Sequence, residues 1–385
     1  MQDNALDLAR ALIACPSVTP QDGGALGILE NRLKQAGFRT HRLTFQDEGT
    51  PDIDNLYARF GTKGPCLAFA GHTDVVPVGS ASDWRFDPFA GKIEDGQIWG
   101  RGAADMKGAI AAFAIAAMDF VTTHSFEGSI AFLITGDEEG PSINGTIKLL
   151  HWATEQGEHF DHCIVGEPTN PQQLGDMIKI GRRGSLNGTL RVQGKQGHVA
   201  YPQRADNPIP TLIRLIAALK VPLDEGTAHF DASNLEVVAL TSGTGAYNVI
   251  PAQAEAKFNI RFNDLWTAET LRQELATRIE KVAENAAYTL TFEPCNAPAF
   301  LTKPDPFTEL VASAIEKGTG RRPELSTTGG TSDARFISAY CPVVEFGLVG
   351  QTMHMVDERV SVDDITRLKE IYESILVDYF DSRER

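Results

Sequence analysis

The stretch Ile98-Trp-Gly-Arg-Gly-Ala-Ala-Asp105-Met-Lys-Gly108, running into the apolar segment 109–121, decides how the rest of the chain is read. Glycines frame one acidic residue, Asp105, where a helix apolar on every face, and therefore buried, is predicted to begin. Asp105 is then either an N-cap, its carboxylate accepting N–H bonds from the first helical turn, or a metal ligand on the floor of an active site. A cap needs nothing more from the chain, whereas a ligand needs partners.

Outward from this stretch, strands and helices alternate. Upstream, a short apolar strand at 65–70 ends in Gly71-His72-Thr73-Asp74, preceded by predicted helices at 4–14 and 24–37 and strands at 38–45 and 55–60. Downstream, Ser-Ile-Ala-Phe-Leu-Ile-Thr at 129–135 is apolar on both faces, as a central strand should be. It ends in Gly136-Asp-Glu138-Glu139-Gly140 and is followed by a helix at 143–155 and a strand at 163–165 that ends in Gly166-Glu167-Pro-Thr. The alternation predicts an α/β fold with a mixed, largely parallel sheet. In such sheets ligands bind outside the carboxyl ends of the strands, where His72, Glu138, Glu139 and Glu167 fall.

Near Gly184 the pattern changes. Strands at 185–192, 235–240, 254–262 and 288–292 with helices at 208–219 and 267–286 give the order β-α-β-β-α-β, the ferredoxin-like arrangement. We therefore expect an inserted domain at 184–294, with an exposed edge strand suited to pairing with a second copy, inside a discontinuous catalytic domain of residues 1–183 and 295–385. After the insertion come a helix at 307–317, the loop Ser326-Thr-Thr-Gly-Gly-Thr-Ser-Asp-Ala-Arg335, a strand at 343–346, the segment Met353-His354-Met355 and a helix at 362–380.

With 385 residues the chain exceeds what one hydrophobic core usually serves. A net charge of −16 repels phosphate backbones and anionic membranes, which argues against a nucleic-acid or membrane partner. The five cysteines are scattered and form no Cys-x-x-Cys pair, as suits reduced thiols in the cytoplasm. Asp3 and Asp7 within an amphipathic pattern are unlike a signal peptide, and the uncharged run 109–118 is about half of the ~20 residues a membrane span needs.

Each candidate alone has a plain reading: a surface histidine at His72, a solvated acidic turn at Glu138 and Glu139, a capped turn at Glu167, a packed histidine at His354. Together they place imidazoles and carboxylates, without cysteine, at one functional edge. That donor set suits zinc first, then cobalt or manganese. Three carboxylates and two histidines are too many for one catalytic zinc. Two Zn²⁺ would bring roughly +4 against about −3 from the carboxylates.

Four motifs carry a family resemblance: Gly-His-Thr-Asp-Val-Val-Pro at 71–77, Gly-Arg-Gly-Ala-Ala-Asp-Met-Lys-Gly at 100–108, Asp-Glu-Glu-Gly at 137–140 and Gly-Glu-Pro-Thr at 166–169. The chain resembles the M20 family of co-catalytic zinc peptidases and deacylases. The resemblance implies that His72 and Glu167 hold one zinc, Glu139 and His354 the other, and that Asp105 bridges them. It also implies that Asp74 orients His72, that Glu138 is the general base toward a zinc-bridging water, and that the Asp105–Met106 peptide is cis.

Further motifs, Gly-Arg-Arg-Gly-Ser at 181–185, Gly-Lys-Gln-Gly-His-Val-Ala-Tyr-Pro at 194–202, Asn-Val-Ile-Pro at 248–251 and Ser-Thr-Thr-Gly-Gly-Thr-Ser-Asp at 326–333, narrow it to hydrolysis of a succinyl amide. The implied substrate is a small molecule with several carboxylates, and a deacetylase or aminoacylase activity is the alternative. In the family a histidine matching His198 reaches the site from the partner subunit of a homodimer; the plain reading is a surface histidine. Arg182, Arg261 and Arg335 are candidate partners for substrate carboxylates or, alternatively, members of structural ion pairs. Ser185, Tyr201, Asn248, Gly330, Thr331 and Ser332 are candidate polar contacts.

Overall fold

The computed structural model describes residues 4–243 and 245–381; Asp3 lies outside them. In chain order the elements are α1 (Ala5–Ile13), α2 (Ala25–Gln35), β1 (Arg39–Phe45), β2 (Ile53–Phe60), β3 (Cys66–His72), α3 (Gly108–Thr123), β4 (Ser129–Thr135), α4 (Thr146–Glu155), β5 (His162–Val165) and β6 (Met177–Lys179). There follow β7 (Gly184–Gln193), α5 (Pro208–Leu219), β8 (Asn234–Ser242), β9 (Gln253–Phe262), α6 (Ala268–Ala283) and β10 (Tyr288–Phe292). The last are α7 (Pro306–Thr319), β11 (Glu324–Ser326), β12 (Val343–Glu345) and α8 (Val362–Asp381), with several shorter pieces between. These elements form two compact units: Met1–Ile180 with Thr302–Ser326 and Ser332–Arg385, and Gly181–Leu301 with Thr327–Thr331. The segment 184–294 lies inside the second.

The first unit is built on an eight-stranded sheet of order β1-β2-β4-β3-β5-β12-β6-β11. Its central strands β4, β3, β5 and β12 run parallel, while β1, β2 and β6 meet a neighbour in the antiparallel sense. Every residue of β3 and β4 is buried, which is why both read as unbroken apolar runs rather than as alternation. Helix α3 is buried almost all round; Phe113 stacks on Phe69 at 4.3 Å and meets Tyr372 of α8 edge-on at 5.2 Å. The segment Ala103–Thr123 is long and apolar enough to cross a bilayer, but most of it is buried inside this unit. It is a core helix.

Two departures from the sequence reading bear on the site. Asp105 does not cap α3. It sits inside the preceding turn, Ala103–Lys107, with extended rather than helical backbone angles; the Asp105–Met106 peptide is cis, as the family resemblance implied. Helix α4 starts at Thr146 instead of 143, because the Asp137 carboxylate takes the N–H groups of Ile143 (2.8 Å) and Asn144 (2.9 Å) into a turn of their own.

The glycines ahead of His72 and Glu167 have a packing reason. A Cβ on Gly71 would come 2.5 Å from the Met106 Cε, and one on Gly166 would come 2.8 Å from the same methyl and 2.6 Å from Phe69. The methionine after Asp105 fills the space that these two glycines leave.

The second unit is a four-stranded antiparallel sheet of order β8-β9-β7-β10, the ferredoxin-like order. One face of β7 and β9, including Leu186, Leu190, Phe258 and Ile260, forms a core with Leu212, Leu215 and Leu219 of α5 and Leu271, Leu275 and Ile279 of α6. The alternation along β7 follows from that one-sided cover. Strand β8 lies at an edge, and its Val238 and Leu240 are exposed.

Candidate metal centre and active site

Five loops of the first unit bring the predicted ligands together. His72 is the last residue of β3; Asp105 lies in the turn before α3; Glu138 and Glu139 follow β4; Glu167 follows β5; His354 stands in the loop between β12 and α8. The His72 Nε2 is 3.1 Å from Asp105 Oδ1 and 3.7 Å from Glu167 Oε1. The His354 Nε2 is 2.7 Å from Glu139 Oε1 and 3.2 Å from Asp105 Oδ2. Asp105 therefore turns one carboxylate oxygen to each histidine. A Glu138 oxygen lies within 4.8 Å of both a His72 nitrogen and a Glu167 oxygen.

Asp74 serves this group differently from the expectation. Its main-chain carbonyl lies 2.9 Å from His72 Nδ1, whereas its carboxylate lies 3.6 Å away. The carboxylate instead accepts the N–H groups of Glu138 (3.3 Å) and Glu139 (3.0 Å), fixing the acidic loop. When Nδ1–H donates to that carbonyl, the Nε2 lone pair faces Asp105 and Glu167.

A lone pair facing two carboxylates calls for a positive charge between them. Glu167 Oε1 is also buried without a hydrogen-bond partner among the described residues. His72 with Asp105 and Glu139, and His72 with Glu138 and Glu167, each bring three donor atoms within 4.8 Å of one another. The donor set fits divalent cations. Without them, protons must supply the charge, and burial is the largest influence on the enclosed acids. It pushes Glu138 up to about 8, with Asp333 and Glu139 adding to the shift and His72 opposing it. Burial likewise raises Glu167 well above the usual carboxyl range, reinforced by Asp105 and Glu138. Burial also opposes ionisation of Asp105, but hydrogen bonds from His354 and His72 outweigh it and lower its pKa.

The remaining predicted residues are distributed between the units. In the first, Ser332 is buried and donates to Glu345 Oε1 at 2.7 Å, and the buried Arg335 lies over the Phe336 ring and 3.9 Å from Asp333. In the second, Arg182 donates to the Gly330 carbonyl at 3.1 Å, and the Thr331 hydroxyl is buried without a partner among the described residues. Ser185 accepts from Asn259 at 2.9 Å, while Arg261 is lowered by burial and by Arg183. His198 is exposed on a two-residue strand paired with Val249–Ile250, and its Nδ1 accepts from the Ala200 N–H at 3.1 Å. Tyr201 and Asn248 are exposed near it, the Asn248 carbonyl accepting from Val199 at 3.1 Å.

Sequence reasoning missed three buried charges beside the site. Lys107 is fully buried, donates to the Cys15 carbonyl at 2.8 Å, and is lowered by burial to about 8. Arg101 and Glu358 pair at 2.7 Å beneath the Asp105 turn. An arginine inside a glycine turn that leads into a buried helix needs a carboxylate partner, and that was the available signal.

Residues 68–378 match the sequence profile described as Peptidase family M20/M25/M40. The chain is 80% identical over 382 residues to a protein of Beijerinckia indica subsp. indica named "Succinyl-diaminopimelate desuccinylase", covering 99% of this chain and 100% of that one. Among solved structures, aminopeptidase PepT from Bacillus cereus superposes with a TM-score of 0.78 at 20% identity, covering 97% of this chain and 98% of that one. The Bacillus subtilis YXEP protein, described as a dinuclear metal binding peptidase from M20 family, does so with a TM-score of 0.70 at 16% identity over 98% of each chain. With a profile match across most of its length and a near full-length relative at that identity, the chain belongs to peptidase family M20/M25/M40.

Proposed function

We propose that this metal-dependent hydrolase cleaves the amide of N-succinyl-LL-2,6-diaminopimelate to succinate and LL-2,6-diaminopimelate, in diaminopimelate and lysine biosynthesis. The observation that carries the reading is the 80% identity, over nearly the full chain, to a relative of that name. His72, Glu167 and Asp105 would hold one cation, and Glu139, His354 and Asp105 the other. Zinc suits this set of imidazoles and carboxylates, with Co²⁺ or Mn²⁺ as substitutes. When bound, the two cations make a water acidic enough to attack at neutral pH and offset the charge that develops on the amide oxygen.

Glu138 takes the proton of the attacking water and returns it to the departing amine. Its place beside His72 and Glu167, with its backbone fixed by Asp74, supports that role. Asp74 holds His72 in the tautomer that leaves Nε2 free. The exposed apolar edge at Val238 and Leu240 supports a homodimer through the second unit, and His198 acts from the partner as a donor to the oxyanion. Arg182, Arg261 and Arg335 face substrate carboxylates, with Ser185, Tyr201, Asn248, Gly330, Thr331 and Ser332 supplying polar contacts. Five unpaired cysteines and the acidic balance support a cytoplasmic enzyme.

The test is turnover of N-succinyl-diaminopimelate beside N-acetylornithine and simple N-acyl amino acids. Preference for the succinylated substrate is expected. Preference for either of the others would reassign the enzyme to a deacetylase or an aminoacylase.

A further inference from the structure

We infer that Arg101 and Glu358 form a brace that positions Asp105 and His354 together, and that the cation position shared by Glu139 and His354 depends on this brace more than the other position does. The inference rests on the metal-centre reading above.

Glu358 is fully buried and gives each of its oxygens a task. Oε1 accepts the N–H groups of Ala104 (2.9 Å) and Asp105 (3.1 Å), and Oε2 accepts from Arg101 Nη1 at 2.7 Å. Arg101, also buried, turns its two Nη groups to main-chain carbonyls as well, while its Nε has no hydrogen-bond partner among the described residues. Nη1 reaches Met355 at 3.2 Å, and Nη2 reaches His354 at 3.4 Å and Pro77 at 3.3 Å. The Glu358 carbonyl accepts from Gly100 N–H at 2.9 Å, and the Arg101 guanidinium lies over the Trp84 ring at 5.1 Å. One ion pair thus ties the backbone of the residue proposed to bridge the cations to the backbone of a terminal ligand.

Net stability is a weak reason for such a pair, because removing two charges from water costs about as much as their attraction returns. Geometry is the better reason. His354 and Asp357 both hold left-handed backbone angles (φ 62° and 60°), unusual for residues with a Cβ, so the loop needs outside restraint. The His354 side chain is 48% exposed, against 1% for His72. His72 ends a buried strand and is held by the Asp74 carbonyl, and Glu167 follows another strand; neither depends on the 353–358 loop. Glu358 holds the backbone of Asp105, which both positions share, whereas Arg101 holds the backbone of His354, so slackening the brace falls more heavily on the Glu139–His354 side.

The experiment titrates metal-free full-length protein with Zn²⁺ by calorimetry and with Co²⁺ by visible absorption. It compares the unmodified protein with Glu358→Gln, Arg101→Lys and, as a control, Asp105→Ala. The lysine keeps a charge for Glu358 but cannot also fork to the 354 and 355 carbonyls. We expect Arg101→Lys to bind the first equivalent as the unmodified protein does and the second about 10- to 100-fold more weakly, with an altered Co²⁺ spectrum for that equivalent only, and Glu358→Gln to weaken the second equivalent more than the first. Two equivalents at unchanged affinity in Arg101→Lys, or equal weakening of both in a variant that melts normally without metal, overturns the brace. If Glu358→Gln fails to fold, Arg101→Lys decides alone. Unchanged binding in Asp105→Ala overturns the metal-centre reading itself, an outcome separate from failure of the brace.

Discussion

The imidazole of His354 lies 2.7 Å from the carboxylate of Glu139, although the two are 215 positions apart in the chain. Both side chains belong to the first unit, where they follow β4 and β12 of the same sheet. Replacing His354 with alanine is expected to lower the tightly bound metal from two equivalents to one and to reduce kcat by at least about 100-fold, as loss of a group that stabilises developing charge does. Metal analysis after dialysis, read beside the rate, checks both halves. Two retained equivalents would remove His354 from the ligand set.

Glu138 gives a contrasting expectation. Its carboxylate is proposed as the proton carrier and not as a ligand, so Glu138→Gln should keep both cations and bind substrate nearly normally. Its kcat should fall by roughly 100- to 10,000-fold. A fall in KM affinity or metal content that matched the loss in kcat would show a structural defect instead.

Stripping the metal should make stability pH-dependent with a definite sign. Burial raises Asp74 from 3.8 to about 7 and Glu138 from 4.5 to about 8; hydrogen bonds to Asp105 and Glu139 raise His354 from 6.5 to about 10. Each group binds its proton more tightly folded than unfolded. The stabilisation is complete below the unfolded value and is lost as pH rises through the folded one. The metal-free protein should therefore melt at falling temperatures as pH rises from about 4 through 8, the His354 part of the loss continuing toward 10. Cations compete with those protons, so the gap in Tm between loaded and stripped protein should widen over the same range. Thermal melts with and without chelator at several pH values test this, and a constant gap would contradict it.

The proposal that His198 acts across a dimer predicts complementation. His198→Ala and Glu138→Gln homodimers should each be nearly inactive. Mixed dimers contain one site with an intact Glu138 and the partner's intact histidine, so co-assembly in equal amounts should restore about a quarter of the unmodified activity by random pairing in a closed dimer. No restoration, or an active monomer by sedimentation, would place His198 outside the chemistry.

Much of the site was legible because it obeys a simple rule. His72, Glu138, Glu139 and Glu167 each follow an apolar strand, and strands buried on both faces announce themselves as continuous runs in the sequence. What stayed hidden was whatever depends on tertiary contact. The strands Met177–Lys179 and Glu324–Ser326 are too short to carry a period. Glycine and alanine around Asp105 suggested a helix start, yet the Glu358 carboxylate takes the N–H groups of Ala104 and Asp105. Asp74 looked like a side-chain partner for His72 because spacing cannot distinguish a carbonyl at 2.9 Å from a carboxylate at 3.6 Å.

The insertion of the second unit between Glu167 and His354 has a consequence for how the enzyme is born. The early strands β1 to β5 are neighbours in both sequence and space, and they carry His72, Asp105, Glu138, Glu139 and Glu167. The last ligand follows β12, which reaches the sheet only after the entire inserted unit has left the ribosome. A chain still being made thus holds the proposed His72–Glu167 half of the centre well before His354 exists to complete the other.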